Sequence, residues 1–308
     1  MGYMVDGVYH VGDDVTATLP SGEFERSRST VRNWIGDADF PAEAGRYHLF
    51  VAWNCPWAHR TLLIRALKGL DHITVSYALP NRTDQGWVFD AEGEFADSLL
   101  NARAVHEVYS ADPIRYTGRL TVPVLWDKVA RRMVSNESAD IVRMLNDVFD
   151  GPDFAPEALR DQIDEWNALI YKSVNNGVYR AGFASTQAAY EKAAYEVFAT
   201  LDRIDAHLAE SRFLCGDQFT EADLRLFPTL ARFEVAYHYA FRCNLKKLSD
   251  YAHLWPYAKA IYAMPGVAET VRFDIYKRGY FSASEKRNPL GIIPIGPIVD
   301  WGTDQVGR

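Results

Sequence analysis

The chain has 308 residues, of which 48% are hydrophobic and 24% are charged, and its formal net charge is −8 at pH 7. A chain of this length can hold two ordinary domains and bury a sizeable core. The negative charge argues against non-specific nucleic-acid binding, which needs a basic field to displace counterions. No run of about 18 apolar residues is present, so we expect no membrane span.

The cysteines and histidines limit the kinds of site that are possible. The three cysteines are too few and too scattered for a disulfide framework, and the first residues lack the basic start and apolar stretch of a secretory signal. We therefore expect a cytoplasmic protein. The eight histidines form neither a His-x-x-x-His pair nor a group with a cysteine, so the sequence predicts no metal site.

The first half of the chain begins with a polar segment and continues with a strand–helix–strand pattern. Residues 1–44 are rich in Gly, Asp, Ser and Pro and show little periodicity, which predicts an irregular N-terminal arm. The apolar run Tyr47–Trp53 predicts a buried strand. Pro56 then suits the first position of a helix, whose apolar face continues to Leu70. Ile73–Leu79 predicts a second strand, parallel to the first.

A second group of elements follows a long connection. The polar stretch Asn81–Gly118 is longer than most connections, which indicates either a functional loop or an insertion. Thr121–Asp127 has the composition of a strand, and Pro123 inside it marks a strand start, an edge or a cis bond. Arg132–Val134 is a candidate hairpin partner, and Asn136–Asp140 opens a helix.

The clearest break lies at Gly151–Asp153, where we place a domain boundary. The residues that follow are predicted to be helical. Apolar residues from Tyr190 to Leu208 recur at spacings of three and four, and Leu226–Tyr237 repeats that pattern. Thr220–Asp223 starts the latter helix with a variant of the capping box. The tail Asn288–Arg308 contains three prolines and several glycines and is expected to be extended.

Cys55 is the first candidate for chemistry, because it stands at the predicted helix start just before Pro56. The partial positive charge of a helix N-terminus stabilises a thiolate there. The alternative is a buried structural cysteine. Ala58 occupies the second position of a Cys-x-x-Cys pair, so an internal disulfide cannot form and the partner must be an external thiol. Cys215 and Cys243 have no comparable surroundings and are expected to be structural.

Two further segments are candidates for binding a ligand. If Pro123 is cis, Val122 presents its backbone N–H and C=O beside the cysteine, which suits a peptide-like ligand; the alternative is an ordinary edge proline. Glu137 and Ser138 open a helix, where free N–H groups and the helix dipole bind a carboxylate. The alternative for that pair is helix capping alone.

Five motifs occur in order along the chain: Asn54–Arg60, Thr121–Asp127, Asn136–Ser138, Asn175–Tyr179 and Asn288–Pro297. With these motifs the sequence resembles the glutathionyl-hydroquinone reductases, the Xi class of the glutathione transferase superfamily, over about Val51 to Pro297. The resemblance implies an α/β plus all-α fold, with a thioredoxin-like glutathione-binding domain over 45–150 and an all-helical C-terminal domain with an extended tail over 151–308.

The resemblance also implies roles for individual residues on the glutathione side of the site. Cys55 is then the nucleophile. Val122 gives backbone hydrogen bonds to the cysteinyl part of glutathione, with Pro123 cis. Glu137 and Ser138 hold the γ-glutamyl amine and carboxylate.

Further matches concern the ends of the proposed site. Trp87 matches the tryptophan that packs on glutathione, and Arg119 is a candidate partner of a glutathione carboxylate. Tyr179 and Tyr280 match tyrosines that line the quinol pocket, and either is a candidate proton donor. The family commonly carries His-Tyr-Tyr where this chain has Gly279-Tyr280-Phe281, so one phenolic hydroxyl is missing at that position.

The implied activity is glutathione-dependent reduction of glutathionyl-(chloro)hydroquinones through a mixed disulfide of Cys55 with glutathione, with release of oxidised glutathione. Glutathione is then a co-substrate, a quinol is the small-molecule partner, no metal takes part, and a homodimer is expected from the superfamily. Two alternatives remain open. One is a transferase or dehalogenase that conjugates glutathione to an electrophilic carbon, and the other is a non-catalytic binding module of the same fold.

Overall fold

The computed structural model describes residues 2–12, 17–285 and 287–302, with the backbone only for residues 17 and 18. Contacts divide these residues into two units. The first contains Ser27–Pro152 and the described part of Met1–Val15, and the second contains Asp153–Arg308 and Thr16–Arg26, again as far as they are described. The arm over 1–44 and the domain limits at 44 and 150 stay predictions.

Short strands lie within the first 44 residues, where the composition predicts an irregular arm. They are β1 (Tyr3–Val5), β2 (Val8–His10), β3 (Ala17–Thr18) and β4 (Phe24–Glu25). In the first unit β1 pairs with β2 antiparallel, and in the second unit β3 pairs with β4 antiparallel. The buried side chains of Met4 and Phe24 give each pair an apolar anchor, which the irregular spacing of apolar residues did not reveal.

A four-stranded mixed sheet is formed in the first unit. The remaining strands of this unit are β5 (Tyr47–Ala52), β6 (Thr74–Ala78), β7 (Gly118–Arg119, which pairs with β1), β8 (Val124–Asp127) and β9 (Arg132–Ser135). The strand order of the sheet is β6-β5-β8-β9, with β5 and β6 parallel and β8 antiparallel to both β5 and β9. This arrangement confirms the predicted parallel pair and hairpin.

Three segments of the first unit form the helices α1 (Pro56–Leu67), α2 (Val105–Ser110) and α3 (Ser138–Val148). Pro56 is the first helical residue of α1, as predicted, and α1 packs against β5 and α3. The short α2 lies inside the polar stretch that was predicted only as a connection. Strands and helices together confirm the thioredoxin-like fold of this part of the chain.

The second unit is built mainly from helices, as predicted. The long helix over Gln187–Leu208 confirms the predicted amphipathic pattern. Thr220 and Asp223 form the predicted capping box at the start of the next long helix, where the Thr220 backbone N–H donates to Asp223 Oδ2 at 2.8 Å. The bounds are α4 (Arg160–Ile170), α5 (Gly177–Phe183), α6 (Gln187–Leu208), α7 (Glu221–Arg232), α8 (His238–Ala240), α9 (Leu254–Tyr262) and α10 (Phe273–Tyr280), with π-helical turns Tyr171–Asn175 and Phe233–Tyr237.

In the described part of the tail, residues 291–301 form neither helix nor strand, and the tail is fixed at two points. Lys277 Nζ donates to the carbonyl oxygen of Ile295 at 2.5 Å. Trp301 is buried, and its ring lies 4.8 Å from that of Trp255 and 5.2 Å from that of Tyr262. Residues 303–308 of the predicted tail lie outside the described residues. Among the helices that the structure describes, none is long and apolar enough to cross a membrane.

Candidate active site

Cys55 is the N-cap residue of α1, so its thiol lies at the positive end of a helix of 12 residues. Its backbone N–H donates to the carbonyl oxygen of Ala52 at 3.0 Å, which closes the turn between β5 and α1. The Sγ donates to the carbonyl oxygen of Val122 at 3.4 Å, and the residue is 8% exposed. The local sequence therefore places the thiol where the helix start was predicted.

The Val122–Pro123 peptide bond is cis, as the resemblance implies. Thr121, which precedes Val122, is held by Tyr109, whose hydroxyl donates to the carbonyl oxygen of Thr121 at 2.9 Å. Asn136 Nδ2 donates to the same hydroxyl at 3.2 Å. Tyr109 therefore ties the Val-Pro segment to the segment that opens α3. Burial raises the pKa of Tyr109, so the hydroxyl stays protonated and keeps both hydrogen bonds.

Glu137 and Ser138 lie at the N-terminus of α3. Glu137 is the N-cap residue, and its side chain accepts a hydrogen bond from the backbone N–H of Ala139 at 3.1 Å. Ser138 is buried, and its hydroxyl accepts from Arg60 Nη1 at 3.4 Å. The guanidinium of Arg60 is itself buried and lies 4.5 Å from the ring centre of Trp57. A cation from α1 therefore lies at the helix start that was predicted to bind a carboxylate.

Trp87 and Arg119 lie on two other segments of the first unit. The Trp87 ring is buried, with the guanidinium of Arg82 4.5 Å from its centre, and Val105 N–H donates to its carbonyl oxygen at 2.8 Å. Arg119 is in β7, and its carbonyl oxygen accepts from the hydroxyl of Tyr116 at 2.9 Å. The contact of either side chain with glutathione stays a prediction.

A second group of candidate residues lies in the second unit, where three tyrosine hydroxyls form a chain. The hydroxyl of Tyr280 is 2.7 Å from that of Tyr179 and 3.0 Å from that of Tyr237. Burial, followed by the neighbouring Tyr179, raises the pKa of Tyr237 and of Tyr280 well above 10. These phenols therefore remain protonated at neutral pH, as a proton donor requires.

Sequence reasoning missed Arg60, Tyr109 and Tyr237 as members of these groups. The sequence pointed to Arg60 only as the last residue of the motif Asn54–Arg60, and to Tyr237 only as the end of an apolar helix face. Tyr109 is in α2, which was not predicted. The one available signal is the basic Arg60 among the apolar residues of α1, and it does not identify Ser138 as the partner.

Phe281, which replaces the expected tyrosine, is buried and lies 5.5 Å from the ring of Tyr239. It lines a cavity of about 320 Å³ in the second unit together with Val235, Pro294 and Pro297. The side chain at this position therefore forms part of the cavity wall. The three hydroxyls of the cluster come from Tyr179, Tyr237 and Tyr280.

The other two cysteines, Cys215 and Cys243, are not N-cap residues of the described helices. Burial raises the pKa of Cys243 to about 12, and burial also raises the pKa of Cys215. Both thiols are buried, neither forms a disulfide, and both remain protonated at neutral pH. Within residues 2–12, 17–285 and 287–302, no group of three or more His, Cys, Asp or Glu residues is arranged to hold a metal ion.

Comparison with known proteins agrees with this fold. The family model for the N-terminal domain of glutathione S-transferases matches residues 54–148, and the model for the C-terminal domain matches residues 187–260. The two halves are therefore those of a glutathione transferase. Among solved structures, the glutathione-bound YqjG of Escherichia coli K-12 has a TM-score of 0.85, with 45% identity over 88% of this chain and 94% of that one.

The full-length relatives narrow the assignment. The glutathionyl-hydroquinone reductase YqjG of Escherichia coli is 46% identical, covering 97% of this chain and 96% of its own. The corresponding reductase PcpF of Sphingobium chlorophenolicum is 44% identical, covering 96% of each chain. The glutathione transferase Xi of Phanerochaete chrysosporium has a TM-score of 0.90 and 42% identity, over 94% of this chain and 98% of that one. The chain belongs to the glutathionyl-hydroquinone reductases, the Xi class of the glutathione transferase superfamily.

Proposed function

We propose that this chain reduces glutathionyl-hydroquinones to hydroquinones, with glutathione as co-substrate. The observation that carries the proposal is the thiol of Cys55 at the N-terminus of α1, 3.4 Å from the carbonyl oxygen of Val122. The relatives YqjG and PcpF are named for the same reaction. The chlorinated hydroquinones, whose rings are electron-poor, are the substrates expected to react best.

The site fits glutathione along the first unit. Glutathione is a tripeptide, so its cysteinyl part can pair with the backbone of Val122, and its sulfur then lies near Cys55. The γ-glutamyl end is proposed to bind Glu137 and Ser138 at the start of α3, where helix N–H groups and the buried Arg60 favour a carboxylate. Trp87 and Arg119 are proposed to contact the rest of the tripeptide.

In the first half-reaction, the Cys55 thiolate attacks the glutathionyl sulfur of the substrate. A sulfur–sulfur bond forms and the bond from that sulfur to the ring carbon breaks. The electron pair of the broken bond passes to the ring carbon, which takes up a proton to give the hydroquinone. We propose Tyr179 or Tyr280 as the proton donor, because their matches in the family line the quinol pocket and burial raises the pKa of Tyr280.

In the second half-reaction, a second glutathione loses its proton and its thiolate attacks the glutathione sulfur of the mixed disulfide. Oxidised glutathione leaves, and Cys55 is restored as a thiolate. The proton released by this glutathione restores the tyrosine. The ring carbon is thereby reduced by two electrons, which come from the substrate's own glutathionyl sulfur and from the thiol of the second glutathione, and no metal takes part.

The alternatives differ in what happens at Cys55. Conjugation of glutathione to carbon uses glutathione's own thiol as the nucleophile and leaves no glutathione on the protein. A non-catalytic module has no need of a thiol at a helix N-terminus. Incubation with a glutathionyl-hydroquinone, followed by peptide mass spectrometry, tests the proposal: glutathione on Cys55 together with free hydroquinone supports it. Free hydroquinone without any protein-bound glutathione would contradict it.

We propose a cytoplasmic location and a homodimeric state for this enzyme. The reaction needs a pool of reduced glutathione, and the three cysteines are unpaired. The tail supports the dimer because it is anchored and yet carries large apolar side chains in solvent, which is typical of an interface. These side chains are Leu290, Ile292, Ile293, Ile295 and Ile298. The glutathione-binding domain over 45–150 and the helical domain over 151–308 are likewise proposals.

A further inference from the structure

We propose that Tyr237 is a positioning residue for proton donation, which orders the hydroxyl chain so that Tyr237 donates to Tyr280 and Tyr280 donates to Tyr179. This inference rests on the proposed reductase function and extends it. It makes Tyr179 the hydroxyl that faces outward along the chain, and Tyr280 the link behind it.

The ring of Tyr237 is held firmly in place. The residue ends the π-helical turn Phe233–Tyr237 and has no exposed surface. Its ring stacks on Phe241 at 5.3 Å and meets the ring of Tyr280 edge-on at 5.3 Å. Its hydroxyl is therefore presented to Tyr280 from a fixed direction, at 3.0 Å.

The direction of the hydrogen bonds follows from the number of protons. A phenol carries one hydroxyl proton, so Tyr280 can donate to only one of its two neighbours. Among the described residues, Tyr280 is the hydrogen-bond partner of the Tyr237 hydroxyl, which is buried away from water. If Tyr237 accepted from Tyr280, its own proton would be buried without an acceptor, which is costly. Donation by Tyr237 avoids that cost and directs the Tyr280 proton to Tyr179.

The surrounding charges agree with this order. Burial raises the pKa of Tyr237 well above 10, and the neighbouring phenols raise it further, so Tyr237 keeps its proton. The hydrogen bond that it donates stabilises negative charge on Tyr280. When a proton leaves Tyr179, Tyr280 can therefore pass its proton to Tyr179, and the hydrogen bond from Tyr237 stabilises the negative charge left on Tyr280.

The two ends of the chain are both supported by arginines of the second unit. Arg26 donates from Nε to Asn176 Oδ1 at 2.9 Å, and its guanidinium lies 4.9 Å from the ring centre of Tyr179. At the buried end, the positive charge of Arg232 lowers the pKa of Tyr237 against the larger effect of burial. A negative charge that develops on the chain is therefore stabilised from both sides.

The test compares Tyr237→Phe with wild type, and it uses Tyr257→Phe as a matched control. Tyr257 is also buried, and its hydroxyl donates to Asp223 Oδ1 at 2.7 Å, outside the chain of three hydroxyls. Two rates are measured in each protein: formation of the mixed disulfide with release of hydroquinone, and reduction of a pre-formed mixed disulfide by glutathione. Thermal unfolding checks that the variants fold.

We expect Tyr237→Phe to slow the first rate by about tenfold, the effect of one lost hydrogen bond, and to leave the second rate and the KM for the quinol unchanged. The loss should be larger for an unsubstituted ring than for a chlorinated one, because the chlorinated ring depends less on the proton donor. Tyr257→Phe should change neither rate.

Three results would overturn the proposal, and they can be told apart. If Tyr237→Phe keeps the wild-type first rate, or slows both rates equally, Tyr237 has no positioning role although the reductase function stands. If Tyr257→Phe slows the first rate as much, the effect belongs to packing. If wild type forms no mixed disulfide with the glutathionyl-hydroquinone, the proposed function itself fails and this inference fails with it.

Discussion

The Sγ of Cys55 lies 3.4 Å from the carbonyl oxygen of Val122, 67 positions further along the chain. Cys55 caps α1, and Val122 precedes β8, which pairs with β5. The sheet therefore brings a helix start and a backbone docking point together. A glutathionyl group whose cysteinyl part pairs with Val122 has its sulfur near the Cys55 thiol, and this favours attack at sulfur over attack at carbon.

The first prediction concerns Cys55→Ser. The reductase activity should fall by at least about 10³-fold, because a hydroxyl does not undergo thiol–disulfide exchange. The free energy of unfolding should rise by about 0.5–1 kcal/mol, because the Cys55 side chain makes no capping hydrogen bond and serine is a preferred N-cap residue. Steady-state kinetics and urea unfolding measure the two effects.

Cys215→Ser serves as the control for that experiment, because Cys215 is buried in the second unit and is not itself the N-cap residue of a helix, so this variant should keep its activity. Appreciable reductase activity in Cys55→Ser would remove the thiol from the mechanism. A gain in conjugating activity with an electrophilic chloroarene would instead show that the site can use glutathione's own thiol once the cysteine is gone.

The second prediction concerns the glutathione end of the site. Ser138→Ala removes the hydroxyl that accepts from Arg60 and should raise the KM for glutathione by about tenfold with little change in kcat. Arg60→Met should act in the same direction, because it removes the buried cation beside α3. Ser110→Ala is the control, since its hydroxyl donates to the carbonyl oxygen of Gly7 at 2.9 Å on an exposed helix end. An unchanged KM in Ser138→Ala would exclude Ser138 from the glutathione site.

The contrast between Cys55 and Tyr237 shows how far the sequence reached. Cys55 was predictable because strand, helix start and proline are local signals within a few residues. From the sequence, a cis Val122–Pro123 bond was only one of several possibilities, and the structure shows the bond to be cis. The hydrogen bond of Tyr237 to Tyr280 joins residues 43 positions apart, so no local pattern separates it from ordinary core packing. Periodicity predicted the strand–helix–strand order and the helical second half, and the resemblance implied the fold class, whereas the polar contacts needed tertiary structure.

The third prediction concerns stability at acid pH. His48 lies in the central strand, with Nδ1 2.7 Å from Thr74 Oγ1 and Nε2 3.0 Å from Ser76 Oγ. Burial lowers its pKa from 6.5 to about 4. The folded protein therefore keeps His48 neutral, while the unfolded chain binds a proton below about pH 6.5. The contribution of His48 to the free energy of unfolding is fully present above about pH 6.5 and should be lost as the pH falls to about 4. This loss should reach about 3 kcal/mol.

Urea unfolding at several pH values measures this loss, and His48→Gln is the variant to compare, because its amide has no charge to gain. The variant is expected to be less stable than wild type at neutral pH but to show a shallower decline between about pH 6.5 and pH 4. Equal slopes in the two proteins would assign the acid sensitivity to other groups.

The fourth prediction concerns the homodimer. Ile295 and Ile298 are 90% and 93% exposed on a tail that Lys277 and Trp301 hold in place. In a dimer formed through the tail, Ile295→Glu combined with Ile298→Glu would bury two unpaired carboxylates, which is strongly unfavourable. We expect the double variant to have the light-scattering mass of a monomer at concentrations where wild type is a dimer.

Val129→Glu is the matched control for the dimer, because Val129 is 65% exposed in the first unit and should leave the dimer intact. A double variant that stays dimeric would place the interface elsewhere on the molecule, and a monomeric wild type would contradict the dimer. The tail anchors make loss of the dimer in the double variant informative. Because the described tail is fixed by Lys277 and Trp301, such a loss reflects the isoleucine side chains themselves and not a released segment.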